Sequence, residues 1–196
     1  GSWARGYKAG GFNLDTSALD LVCNPNAGTV AQRAACSAQL ALPANTVGNA
    51  RPEAVDLQFG AETVDAYELG VKFSRPGFNA NLALFRQDFS NFQLNTYNGV
   101  NFEVTNVQGC RDDLGNTDSD GSAATGGCAT DRLKPGVVSK GIEIELQASP
   151  VENLSFTAGL TYAETRFAKD LVGTNGRPLS PVLFQLPGRQ ISNAPP

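Results

Sequence analysis

The chain has no histidine, no methionine and a single tryptophan in 196 residues. Without histidine, neither a Ser-His-Asp nor a Cys-His relay can be assembled, so the common routes to an activated nucleophile are closed. A zinc site is disfavoured for the same reason, and no CxxC spacing is present to replace imidazole ligands. No GxxxxGK[ST] or GxGxxG element offers a phosphate cradle. Charge is scarce at 17%, with 15 Lys plus Arg against 19 Asp plus Glu and a net −4. No basic cluster exists to neutralise a phosphate backbone, which excludes nucleic acid as the expected partner. No run of about 18 apolar residues occurs, so no membrane-spanning helix is expected. The N-terminus shows no basic segment followed by an apolar one, and no signal peptide is read there.

Turn-formers are abundant instead, with 21 Gly and 11 Pro. Mean hydropathy is −0.21 although 41% of residues are hydrophobic. Such a balance fits a soluble α/β domain poorly. It fits a membrane β-barrel, where only every second strand residue meets lipid and the loops are polar. Residues 139–167, SKGIEIELQASPVENLSFTAGLTYAETRF, carry the pattern most clearly. Ile142, Ile144 and Leu146 alternate with Glu143, Glu145 and Gln147. Leu154, Phe156, Ala158, Leu160 and Tyr162 alternate with Ser155, Thr157, Gly159, Thr161 and Ala163. A side-chain period of two specifies strand, and here one face is oily and the other wet.

The same pattern extends upstream. Residues 3–12 are predicted to form a strand ending at a Gly pair, and 62–74 a strand with Tyr67, Leu69, Val71 and Phe73 on one face. Arg75-Pro76-Gly77 is a tight turn. A long strand is expected over 78–97, with Phe85, Phe89, Phe92 and Tyr97 as candidate interface aromatics. Asn98-Gly99 signals a hairpin into the alternating run VNFEVTNV. Short turns at 75–77 and 149–153 must share one end of a barrel. That parity requires 98–136 to be one excursion, with 100–108 and 137–148 descending as one interrupted strand. The expectation is therefore an all-β, antiparallel up-and-down transmembrane β-barrel segment of about five or six strands, with long outer loops at 13–61, 98–136 and 169–185. Fewer than eight strands cannot close alone, so the chain is expected to be part of something larger.

WARGYKAGGFN, ETVDAYELGVKF, NLALFRQDFSNFQ, VVSKGIEIELQASPVENLSFTAGLTYAETRF and LPGRQISNAPP, in that order, resemble consecutive barrel strands of TonB-dependent outer-membrane receptors. The resemblance implies a segment of the C-terminal half of a barrel of about 22 strands closed by an N-terminal plug. It implies residence in the outer membrane of a Gram-negative bacterium, in contact with its lipid. It implies binding and import of a large scarce extracellular nutrient. A ferric siderophore is the first expectation, followed by haem, cobalamin or a glycan. The inner-membrane TonB complex would supply energy through the plug, and neither a plug nor an aromatic-ended terminal strand is seen in this sequence. No covalent catalysis is implied.

Four cysteines form two local pairs in polar segments, Cys23 with Cys36 and Cys110 with Cys128. Disulfide staples in an oxidising space are the favoured reading over four free thiols. Asn116, Asp118 and Asp120, followed by Gly121, match the first half of a Ca²⁺ loop, with Asp112 and Asp113 nearby. The position of the bidentate Glu falls on Gly127, so a polar disulfide-closed turn is the plainer reading of 109–136. Glu143 and Glu145 share a face, which suits an acid/base pair, but solvated lumen residues explain them more simply. Arg33, Arg51, Arg111, Arg132 and Arg177 fall in the expected outer loops. The resemblance makes them candidate contacts for an anionic ligand. Two other classes remain: a passive outer-membrane channel, and a secreted β-rich adhesion module that would bury Ile142, Ile144, Leu160 and Tyr162.

Overall fold

A computed structural model describes residues 1–13, 26, 28–40, 57–97, 102–114 and 126–191. The strands are β1 (Ser2–Lys8), β2 (Gly11–Phe12), β3 (Gln58–Phe59), β4 (Glu62–Arg75), β5 (Phe78–Ser90), β6 (Phe92–Tyr97), β7 (Phe102–Cys110), β8 (Leu133–Lys134), β9 (Val137–Val151), β10 (Leu154–Phe167) and β11 (Leu171–Val172). Among the described residues one α-helix, α1, spans Val30–Leu40. Its first turn is closed reciprocally. The Thr29 hydroxyl accepts from the Gln32 N–H at 3.2 Å, and the Gln32 side-chain oxygen accepts from the Thr29 N–H at 2.8 Å, a capping box that satisfies two orphan donors.

Five strands form an antiparallel wall in the order β1-β4-β5-β9-β10. Directly opposed residues share a face, so the register assigns both surfaces. Leu69, Leu84, Ile142 and Tyr162 make one cross-strand row, and Val71, Leu82, Ile144 and Leu160 the next. Phe73, Ala80, Leu146 and Ala158 complete the apolar band. Trp3 and Tyr67 flank it at one end, Phe78 and Phe156 at the other. The Tyr67 row and the Phe78 row, which meets β4 at Arg75, stand roughly 26 Å apart along β4 at about 3.3 Å per residue. That span and its aromatic borders match the lipid band of an outer-membrane barrel. Leu69, Val71, Leu160 and Tyr162 are all exposed, so they do not line a globular interior. The opposite face carries Glu68, Lys72, Asn81, Gln87, Ser139, Glu143, Glu145 and Thr161.

Both tight connections lie at the same end of the wall. At Pro76-Gly77, proline presets the first corner and Gly77 takes φ 74°, which a side chain would oppose. At Glu152-Asn153, Asn153 turns at φ 62°. The Ser149 N–H donates to the Gly77 carbonyl at 2.7 Å and ties the two turns together. All longer connections lie at the other end, which in outer-membrane barrels is the extracellular one.

Several expectations change in detail. The strand over 3–12 breaks at Ala9-Gly10, and the strand over 78–97 breaks at Asn91, whose φ is 54°. Phe85 and Phe89 lie on the polar face, opposite Gly141 and Val137, rather than at the lipid border. Phe85 covers Gly141, where an added Cβ would collide with the ring and with the Tyr162 carbonyl. Phe92 is likewise taken into the interior. β7 stands at the place expected for the upper part of the interrupted strand over 100–108, and the outer segments otherwise expected as loops contain β8, β11 and single 3-10 turns at Thr130–Arg132, Thr174–Gly176 and Pro181–Leu183. β7 pairs with β6 and so belongs to a second sheet, ordered β11-β7-β6, with β8 also on β7. Along the β5–β6 line the partner is β9 up to the Phe89–Val137 pair and β7 from the Phe92–Val107 pair onward.

Candidate functional site

The second sheet and the segment 168–191 form a cap over the end of the wall opposite the tight turns. Its core is Val107, Val137, Phe167, Leu171, Leu179 and Leu183, all buried, with Phe89, Phe92 and Leu94 packed against them. Phe89, Val137 and Phe167 belong to the polar, lumen-side face of the wall. The cap therefore leans inward over that face. Phe92 meets Phe89 and Phe167 edge-on, with ring centroids 5.9 and 6.3 Å apart, a geometry favoured by the ring quadrupoles. A smaller cluster of Cys110, Leu114 and Val172 sits beside the disulfide Cys110–Cys128, whose Cα atoms are 5.9 Å apart.

A buried amide network locks the cap to the wall. Asn106 is fully buried. Its side-chain oxygen accepts from the Gly60 N–H at 2.6 Å, and its amide donates to the Asn91 carbonyl at 2.8 Å and the Gly60 carbonyl at 3.2 Å. Gln93 donates to the Ala9 and Gly60 carbonyls at 2.8 and 3.0 Å, while its own N–H donates to the Glu62 carboxylate at 2.7 Å. Asn13 treats β7 as a strand would. Its amide donates to the Val104 carbonyl at 2.7 Å and its oxygen accepts from the Val104 N–H at 2.8 Å. Every one of these groups would be costly to bury unpaired. The network had no signal in the sequence beyond isolated Asn and Gln residues, because amide pairing across distant segments has no period.

A cleft opens on the cap beside β6 and β7. Thr96, Glu103 and Thr105 meet Thr174, Arg177 and Ser180 across it, with Leu179 and Leu183 at its apolar side. Hydroxyls, one carboxylate and one guanidinium on an ordered base can hold a polar ligand by several directional hydrogen bonds.

The expected site residues fall in different places. Arg177 lines this cleft. Arg132 bonds Asp112 at 2.7 Å with both side chains about half exposed, and Asp112 raises the Arg132 pKa further, by hydrogen bond first and charge second. Arg111 lies alongside, its N–H donating to the Arg132 carbonyl at 2.9 Å. Arg33 donates to the Gly28 carbonyl at 2.7 Å before α1, a local structural contact. Cys36 is buried, and no free thiol occurs among the described cysteines. Cys23, Arg51, Asn116, Asp118 and Asp120 lie outside the described residues. Among the described residues, no group of three acidic or cysteine side chains converges as metal ligands. Glu143 and Glu145 stand on the open polar wall, and the Glu145 carboxylate accepts from Asn81 at 3.1 Å.

A wall with one apolar and one polar face, tight turns at one end and a folded cap at the other is a segment of an outer-membrane-type β-barrel. More particularly, the chain belongs to the TonB-dependent receptor family: residues 1–195 match the family described as TonB dependent receptor-like, beta-barrel. No curated protein and no solved structure matches it. Family membership places the chain among outer-membrane receptors and transport proteins.

Proposed function

We propose that this chain forms part of an energy-coupled receptor that binds a large scarce nutrient at the cell surface and imports it, with a ferric siderophore as the first candidate cargo. The observation that carries the reading is the cap. A passive channel gains from an open mouth, whereas a receptor needs ordered groups there, held rigid so that binding pays little ordering entropy. The cap supplies a packed core, a buried amide network and a cleft with Glu103 and Arg177. Arg111, Arg132 and Arg177 suit carboxylate or catecholate oxygens of a ferric chelate, which guanidinium engages two at a time. Haem, cobalamin and glycans are the other cargoes of this size class. The expected partners are the nutrient outside and the inner-membrane TonB complex acting through a plug. The role is transport and not covalent chemistry.

The test is growth and uptake. A strain lacking the full-length gene is grown with single ferric chelates, haem, cobalamin or glycans as the limiting source. Loss of growth on one source, with uptake abolished by a protonophore, supports the reading. Uptake that persists without energy coupling would make the barrel a passive channel.

A further inference from the structure

The cleft on the cap has two walls of opposite charge. On one, Thr96 lies opposite Glu103 in the β6–β7 register and Thr105 follows two residues on, so the three side chains share a face. The other is the turn Gly173–Arg177, with Ser180 beyond it. That turn is closed on itself. The Gly173 N–H donates to the Arg177 carbonyl at 2.8 Å and the Arg177 N–H to the Thr174 carbonyl at 3.1 Å. Its apex, Asn175-Gly176, takes φ 56° and 80° and rests on Cys128. The Cys128 N–H donates to the Gly176 carbonyl at 2.7 Å, and a Cβ on Gly176 would run into the Cys128 carbonyl. Cys128 is bonded to Cys110, the last residue of β7. The disulfide thereby joins the strand that carries Glu103 to the turn that carries Arg177. Walls fixed relative to each other lower the ordering cost of binding.

We propose that this cleft holds the zwitterionic end groups of a short peptide. Arg177 takes the carboxylate, Glu103 takes the ammonium, and the hydroxyls of Thr96, Thr105, Thr174 and Ser180 serve the amide between them. The proposal deepens the receptor reading by naming a class of cargo, and it rests on that reading for import. One cation set against one anion favours a ligand that carries both signs. A polyanion would meet Glu103 and a polycation would meet Arg177, each a repulsion that selects against the wrong partner. Guanidinium engages a carboxylate through two parallel N–H bonds. Hydroxyls donate and accept, which matches the N–H and C=O of a peptide. Leu179 and Leu183, which follow Arg177 in the chain, give an apolar side chain beside the carboxylate a place to rest. Among the described residues no aromatic ring lines the cleft, so a sugar ring or a flat macrocycle finds no face to stack on.

The experiment uses the full-length receptor in phosphatidylcholine nanodiscs with no energy source. It is titrated with glycyl-leucine, N-acetylglycyl-leucine and glycyl-leucinamide, and binding is read by saturation-transfer NMR. Wild type is expected to hold glycyl-leucine at least about tenfold more tightly than either capped form. Arg177→Gln should erase the penalty for amidation and keep that for acetylation, and Glu103→Gln should do the reverse. A cap that had merely loosened would lose both penalties together. If a glutamine variant does not reach the folded, heat-modifiable form, Arg177→Lys or Glu103→Asp replaces it, with its own penalty expected to fall severalfold. No binding of glycyl-leucine by wild type, equal binding of the three probes, or penalties that fail to separate in the folded variants overturns the proposal. Energised uptake of labelled glycyl-leucine by cells would make the peptide itself the cargo, and binding without uptake would make it the peptidic arm of a larger one; both keep the site. Binding is read without energy, so its failure leaves the import reading standing.

Discussion

In the wall, Leu69, Val71, Leu82, Leu84 and Leu160 are exposed, whereas in the cap Val107, Leu171, Val172 and Leu179 are fully buried. The two regions face different solvents. The wall satisfies its backbone through strand pairing and leaves its apolar side chains to hydrocarbon, as a bilayer demands. The cap stands in water, so it must build an interior of its own. One chain therefore holds a two-faced sheet without a core and, a few residues away, a small core without a membrane.

That contrast can be broken by substitution. The largest effect is expected at the centre of the apolar face. Ile144→Arg should cost about 2–4 kcal/mol, while Glu143→Arg on the opposite face should leave folding nearly unchanged. Folding of the full-length receptor into lipid vesicles, followed by heat-modifiable gel mobility, measures both. If the two variants fold alike, the assignment of faces is wrong. A second break concerns the cap alone. Cys110→Ser with Cys128→Ser opens a loop with a sequence separation of 18, worth about 3 kcal/mol in the chain-entropy account. Limited proteolysis should then cut the cap while the wall stays resistant, and simultaneous loss of both would show that they unfold as one unit. The smallest effect tests the joint. Asn106→Ala strands the Gly60 N–H and the Asn91 carbonyl, while the Gly60 carbonyl keeps its bond from Gln93, at about 1–3 kcal/mol. Amide exchange should quicken around Gly60 and in β7, with β9 and β10 unaffected, and uniform exchange across the chain would contradict the localised role.

The same contrast explains what could be read beforehand. The strands at Glu62–Arg75, Val137–Val151 and Leu154–Phe167 were legible because a two-solvent wall repeats one rule every second residue. The cap follows no repeat. Val107, Val137, Phe167 and Leu171 come together from four strands, so their shared interior has no local signature. Phe85 and Phe89 were misplaced for a related reason. Aromatics next to Arg86 resemble a lipid border, yet one covers Gly141 on the inner face and the other joins the cap core. Of the candidate contacts, Arg177 lines the cleft, but its companions Glu103, Thr174 and Ser180 carry no motif. Arg33 is spent on the turn before its helix.

Asn13 gives the surface-exposed mouth a means of staying solitary. Among the described residues, no strand pairs with the outer part of β7 on the side away from β6, and open strands invite neighbouring molecules to add on. By bonding both backbone groups of Val104, one carboxamide occupies the seat that another polypeptide would need. The outer end of the fold can then vary in sequence without turning sticky toward neighbouring copies.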